Sequence, residues 1–305
     1  MNEQTKGVLA MIGACGIWGL SPMYYKLLSH IPAVEVLSHR MLWSLVLFAA
    51  VLALQRRLRE IARSMNTGRS FTLVVIASLM IAANWSLFIW SVQNGNTTQT
   101  SLGYYIYPLV AVVIGRLVFG ERLSSLQWGA VALATLAVSI LTVGLGTIPW
   151  IALTLAITFG FYGLIKKQQN TGPVVSVTGE ILLLSPVALI VLLQTYHNGG
   201  AVFGGDPQTM ALLIFAGPIT ALPLILFSYA ARRLTMTSVG LLQYINPTLQ
   251  FACAVFVFSE PFGPWHIAAF VLIWSALALY SATAYGQDKA RRKASRAAAA
   301  SGTVS

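Results

Sequence analysis

The sequence predicts an all-α membrane protein of ten transmembrane helices, and three observations carry that prediction. Of its 305 residues 57% are apolar and only 9% charged, where a soluble domain carries about 25% charge. The apolar residues gather into runs of the roughly 20 residues that a helix needs to cross a bilayer. The basic residues fall into alternate breaks between those runs. Together these features exclude a soluble enzyme, a nucleic-acid-binding domain and a disordered protein. The net charge of +11 could otherwise point to nucleic acid, but its cations sit in short hydrophilic breaks. The expected partners are the lipid bilayer and a small-molecule substrate, with no nucleic acid and no cofactor.

The first five runs are Gly7–Leu28, Val36–Leu54, Phe71–Val92, Ser101–Phe119 and Leu126–Val143; the second five are Pro149–Ile165, Val174–Tyr196, Met210–Ala230, Ser238–Val257 and Pro264–Tyr285. The first is too long for a signal-peptide core and is followed by further spans. Ser124 with Gln127 forms a capping-box pattern ahead of the fifth. Asp206-Pro207 reads as N-cap and first-turn proline before the eighth, and Pro149 and Pro264 open the sixth and tenth. The Ala-, Lys- and Arg-rich tail from Gln287 to Ser305 reads as a disordered end. Cys15 and Cys253 lie inside apolar runs and give neither a disulfide framework nor a metal spacing.

Charge placement fixes an orientation. All of the 19 Lys and Arg except Lys26 and Arg40 fall at the N-terminus, in or flanking the breaks after even-numbered spans, or in the tail. The positive-inside rule then puts both termini in the cytoplasm.

The halves resemble one another. Thr100-Ser101-Leu102-Gly103 matches Thr237-Ser238-Val239-Gly240, and Trp18-Gly19-Leu20 falls opposite Tyr162-Gly163-Leu164. Pro108 precedes Glu121 by the same interval as Pro247 precedes Glu260. Five spans per half is an odd number, so the second copy enters from the other face. That makes residues 1–145 and 146–286 inverted repeats, the geometry of alternating access about a midplane site.

Ionisable groups inside a bilayer cost about 2.5–3.5 kcal/mol on insertion scales, so they mark candidate sites. Arg40 lies in span two and Glu180 at the matching place in span seven. Inversion puts them in opposite halves of the membrane, where they should not touch. Arg40 could hold a substrate carboxylate, and Glu180 could titrate or bind an amine. Lys26 near the end of span one snorkels or joins the site. His39 is expected as a buried hydrogen-bonding residue. Glu121 and Glu260 are expected to cap helices or to pair with Arg. Polar groups beside prolines recur by symmetry: Tyr104 and Tyr107 before Pro108, and Gln243, Tyr244 and Asn246 before Pro247. Trp18, Tyr25, Asn84, Trp85 and Tyr162 complete the candidate lining, which suits a ligand with apolar and polar parts. No phosphate loop, zinc spacing or nucleophile set appears, so enzymatic activity is not expected.

Ile17-Trp18-Gly19 with Pro22 and Lys26, His39-Arg40 with Trp43-Ser44, Asn84-Trp85 with Phe88-Ile89-Trp90, Ser101-Leu102-Gly103-Tyr104, and Gln243-Tyr244-Ile245 with Pro247-Thr248-Leu249 together resemble the RarD group of the EamA family, in the drug/metabolite transporter superfamily. The resemblance covers essentially all ten spans. It implies a bacterial inner-membrane permease of two EamA repeats that moves amino acids, other small metabolites or drugs, chloramphenicol among them. Gln99-Thr100 stands where relatives commonly carry Glu-Ala, and Tyr107 where Asn is common, so the substrate is not carried over. The alternatives are a non-transporting scaffold subunit, which would be packed solid where a carrier should show a solvent-reachable pocket at mid-depth, and a lipid-modifying membrane enzyme.

Overall fold

A computed structural model of the chain describes residues 3–120, 123–169, 171–200, 202–234 and 236–300, with Phe119, Met236, Thr237 and 283–300 described by their backbone alone. The described residues form helices and no strand. They are α1 (Glu3–Leu27), α2 (Ala33–Leu54), the short α3 (Arg59–Arg63), α4 (Gly68–Gln93), α5 (Thr97–Phe119) and α6 (Ser125–Leu145), then α7 (Trp150–Lys167), α8 (Pro173–His197), α9 (Pro207–Ala231), α10 (Met236–Gln243), α11 (Ile245–Ala252) and α12 (Pro264–Ala300). Among the described residues nine helices are long and apolar enough to cross a membrane. Large apolar side chains such as Leu54, Leu117, Val143 and Phe256 face outward, as they would against lipid chains.

The ninth expected span differs. Where the sequence predicts one helix over Ser238–Val257, the chain forms α10, a break at Tyr244, α11, and a wide turn in which Phe258 N–H donates to the Cys253 carbonyl at 2.9 Å. Pro247 lies just past the break; it has no N–H to donate to the Gln243 carbonyl, and its ring crowds that group. The other in-helix prolines, Pro22, Pro108, Pro186, Pro218 and Pro223, lie within continuous helices. At the other end, α12 continues in helical backbone through most of the expected disordered tail, to Ala300, along a run rich in the strong helix former Ala. Residues 301–305 lie outside the described residues.

The expected caps form. Ser124 and Gln127 exchange side-chain-to-backbone hydrogen bonds at 2.9 and 3.3 Å. The Asp206 carboxylate accepts from Thr209 N–H at 2.8 Å, which holds its carboxyl below the usual range. A depressed carboxyl stabilises the fold above its unfolded pKa and loses that contribution as pH falls through the folded value. Asp206→Asn should therefore flatten the acid limb of a melting-temperature-against-pH profile. Glu260 likewise caps α5, accepting from the backbone N–H groups of Thr97 and Thr98, both at 2.7 Å. Glu121 lies outside the described residues.

Packing places the helices in a definite pattern. α1 lies on α9 and α11, α2 on α8 and α9, α4 on α7 and α8, α5 on α7 and α11, and α6 on α12. Exchanging α1 with α7, α2 with α8, α4 with α9, α5 with α10–α11 and α6 with α12 returns the same set of pairs. The hairpin turns also agree: α1 ends at Leu27 and α2 starts at Ala33, while α7 ends at Lys167 and α8 starts at Pro173.

Close helix contacts need glycine, Gly19 and Gly103 among them. A Cβ on Gly19 of α1 would stand 2.6 Å from Leu249 Cβ, and one on Gly103 of α5 would stand 2.8 Å from the Ala152 carbonyl oxygen. Neither neighbour is a flexible chain end. Gly103→Val is expected to cost about 1–3 kcal/mol by overpacking, read as a lowered apparent melting temperature in detergent.

Candidate functional site

Arg40 stands near the start of α2 and is buried, with 6% of its surface exposed. Its Nε donates to Thr220 Oγ1 of α9 at 2.9 Å. Its guanidinium lies 4.0 Å from the ring centroid of Trp85 on α4 and 5.6 Å from that of Tyr25 on α1. A guanidinium has five N–H donors in a planar fork, and Thr220 is the one hydrogen-bond partner it has among the described residues. No carboxylate meets it there. The site is a desolvated cation with two aromatic walls, built from four helices of both halves. Such a fork is matched to a carboxylate or another planar oxyanion.

A chain of rings leads away from it. Tyr24 meets Tyr25 at 4.9 Å between centroids, Tyr25 meets Phe88 at 5.7 Å, and Phe88 meets Tyr104 at 5.9 Å. Tyr104 meets Phe159 at 5.7 Å, which in turn meets Tyr107 at 5.0 Å and Tyr162 at 5.9 Å. Most of these contacts are edge-to-face, the geometry that ring quadrupoles favour. The chain begins where Tyr24 Oη donates to the Leu212 carbonyl at 2.7 Å and ends where Tyr162 Oη donates to Glu180 Oε2 at 3.0 Å.

Asn84 and Tyr104 meet, but as a bracket. The Asn84 amide donates to the Leu155 carbonyl at 3.0 Å and to Thr158 Oγ1 at 2.9 Å, and accepts from Tyr104 Oη at 2.9 Å. It ties α4 and α5 to α7 and is fully buried. Asn84→Leu strands those partners, and a loss of about 2 kcal/mol is expected from unpaired buried polar groups, read by thermal denaturation of the purified protein. Tyr107 Oη donates to Gln243 Oε1 at 3.2 Å, pairing the two matched proline regions. Asn246 accepts from Gln250 at 2.9 Å. Trp18 packs on Phe227 at 5.9 Å. Tyr244 lines a separate groove of about 360 Å³ with Tyr105, Thr248, Trp274 and Ser281. None of Trp18, Gln243, Tyr244 and Asn246 bonds to Arg40 or stacks on it.

Glu180 is fully buried and does not bond to Arg40, as the sequence predicts. Its Oε1 pairs with Lys166 Nζ at 2.6 Å and accepts from Ser176 Oγ at 3.1 Å. Lys166 also reaches Ser176, which bonds to Gln169. The carboxylate offered by the sequence as an amine binder is thus already neutralised by a cation of the same hairpin. Lys26 is half-buried at the end of α1, donating to the Gln93 carbonyl at 3.4 Å, 5.8 Å from the Phe258 centroid. His39 is buried and stacks on Phe203 at 4.8 Å. Among the described residues that ring takes the place of the hydrogen bond expected for it.

Sequence reasoning misses Thr220, Phe159 and Lys166. Thr220 and Phe159 carry no charge and no motif. Lys166 reads as an inner-surface cation, but its spacing to Glu180 repeats that of Lys26 to Arg40, and this signal could have found it.

The chain is similar to known membrane transporters. Residues 5–143 match the model of the EamA-like transporter family. The chain is 42% identical over 304 residues to a protein of Streptomyces exfoliatus named Protein RarD, covering 99% of this chain and 96% of that one. It is 40% identical over 294 residues to a protein of Vibrio cholerae named Uncharacterized transporter, covering 96% and 97%. A solved crystal structure superposes with a TM-score of 0.60 at 14% identity, covering 90% of this chain and 96% of that one; this likeness concerns the fold alone.

Proposed function

The chain belongs to the RarD group of the EamA family of membrane transporters, and from that premise we propose that it is a bacterial inner-membrane secondary carrier for a small amphipathic metabolite, working by alternating access. The observation that carries the reading is Arg40, a buried cation against Trp85 and Tyr25 with one hydrogen-bond partner among the described residues. A packed scaffold has no use for such a group, because a buried charge is costly unless something pairs with it. An amino acid, or another molecule with an acidic group and an apolar body, fits the charge and the rings.

Inverted repeats are supported by the packing pattern, which survives exchange of the halves, and by the equal hairpins at Leu27–Ala33 and Lys167–Pro173. The alternating basic breaks support cytoplasmic termini. In this reading the two halves rock about the Arg40 region, and the closed packing around Arg40 represents an occluded state.

The test is a thermal-shift screen of the purified protein against amino acids, organic acids and chloramphenicol, followed by uptake of each hit into proteoliposomes. A ligand that binds the native state raises its apparent stability with occupancy. Saturable uptake of a hit is the expected result. A hit list that binds but never crosses would favour a non-transporting receptor or scaffold instead.

A further inference from the structure

The two halves differ in one consequential place. The α1–α2 and α7–α8 hairpins match without a gap, since helix end and helix start are displaced by the same interval in each. Lys26 therefore corresponds to Lys166, and Arg40 to Glu180. In the α7–α8 hairpin the corresponding pair is an ion pair at 2.6 Å, with Tyr162 and Ser176 supplying further hydrogen bonds to the same carboxylate. In the α1–α2 hairpin the carboxylate has been replaced by a second cation. By the displacement of the hairpin ends, which differs from the motif alignment that sets Trp18 against Tyr162, the positions corresponding to Tyr162 and Ser176 are Pro22 and Val36, which offer no hydroxyl. Two like charges cannot close a hairpin on each other. Arg40 instead turns to Thr220 and Trp85, and Lys26 turns to the Gln93 carbonyl, each on another helix.

We infer that the transported solute is an organic anion whose acidic group lies between Lys26 and Arg40, taking the place that Glu180 holds in the other half. This rests on the carrier reading and sharpens its substrate class. The α7–α8 hairpin carries its own counter-ion and is latched permanently. The α1–α2 hairpin is latched when a soluble anion supplies the missing carboxylate, so binding and closure are the same event. The aromatic walls of Trp85 and Tyr25 take the apolar body. Glu180, already paired with Lys166, is left with no role in holding an amine, and the other buried carboxylate, Glu35 of the α1–α2 hairpin, accepts from Val202 N–H at 3.4 Å.

The experiment uses the full chain in detergent with three probes of one shape: phenylacetate, phenethylamine and 2-phenylethanol. Phenylacetate is expected to raise the apparent melting temperature, and the amine and the alcohol to leave it unchanged. Lys26→Gln should raise the half-saturating phenylacetate concentration about tenfold, the effect of one charge-assisted hydrogen bond. Arg40→Glu should abolish the response. It should also melt above Arg40→Gln in the absence of ligand, because it rebuilds in the first hairpin the pair that the second contains. A response to the amine or the alcohol, a phenylacetate response that survives Arg40→Glu, or no response to phenylacetate overturns the inference. Saturable flux of the amine or the alcohol into proteoliposomes, above that of protein-free liposomes, would then leave the carrier standing without an anionic substrate. Absence of saturable flux for all three and for every hit of the broader screen would remove the carrier reading with it.

Discussion

Arg40→Ala is expected to reduce saturable transport at least about a hundredfold while the protein still inserts and purifies as a folded species. The guanidinium supplies the one buried cation of the site, and two charge-assisted hydrogen bonds to an acidic group are worth about 3 kcal/mol or more. The loss should not be structural. Among the described residues Arg40 contributes one hydrogen bond, to Thr220, two ring contacts and no ion pair to the fold. Removing an uncompensated buried charge relieves a desolvation cost rather than creating one. Arg40→Lys keeps the charge but not the planar fork, and should retain only part of the activity. Flux per reconstituted molecule, beside melting temperature, separates these outcomes; wild-type flux in Arg40→Ala would remove Arg40 from the mechanism.

The second large effect is one of stability. Glu180→Ala should destabilise the protein by about 3 kcal/mol, because it leaves the Lys166 ammonium unpaired with Ser176 and Tyr162 around it. Breaking a buried pair typically costs about 3–5 kcal/mol. The low end applies because the Lys166 side chain keeps 21% of its exposure. Replacing both partners with apolar residues, Lys166→Met together with Glu180→Leu, should recover most of the loss, since no charge is then stranded. A double-mutant cycle on denaturation midpoints measures this. If the single and double variants prove equally destabilised, the pair is not what holds the α7–α8 hairpin.

Particular residues explain how much of this was legible beforehand. Long apolar runs and helix caps are local, so nine of the long helices and the Ser124 and Asp206 caps follow from the sequence alone. Arg40 and Glu180 stand out because charge is scarce in apolar runs. The break at Tyr244 is harder to read. Pro108 and Pro247 occupy matching places, yet α5 runs through one while α10 and α11 part at the other. The partners of each polar group were not legible, because they depend on which helices pack. Thr220 meets Arg40 across 180 residues, and Asn84 is spent on Leu155, Thr158 and Tyr104 rather than left for a ligand. Lys166 misleads for the opposite reason: the positive-inside pattern accounts for it fully while its ammonium turns inward.

The most direct measurement is two-sided accessibility at the centre of the molecule. With Cys15 and Cys253, both buried and free, replaced by Ser, Thr220→Cys places one thiol beside Arg40. A membrane-impermeant thiol reagent is then applied from either face of oriented vesicles. A carrier that alternates about Arg40 is expected to be modified from both faces, with phenylacetate slowing both reactions. Modification from one face only, under every condition and with a confirmed fold, would contradict the account.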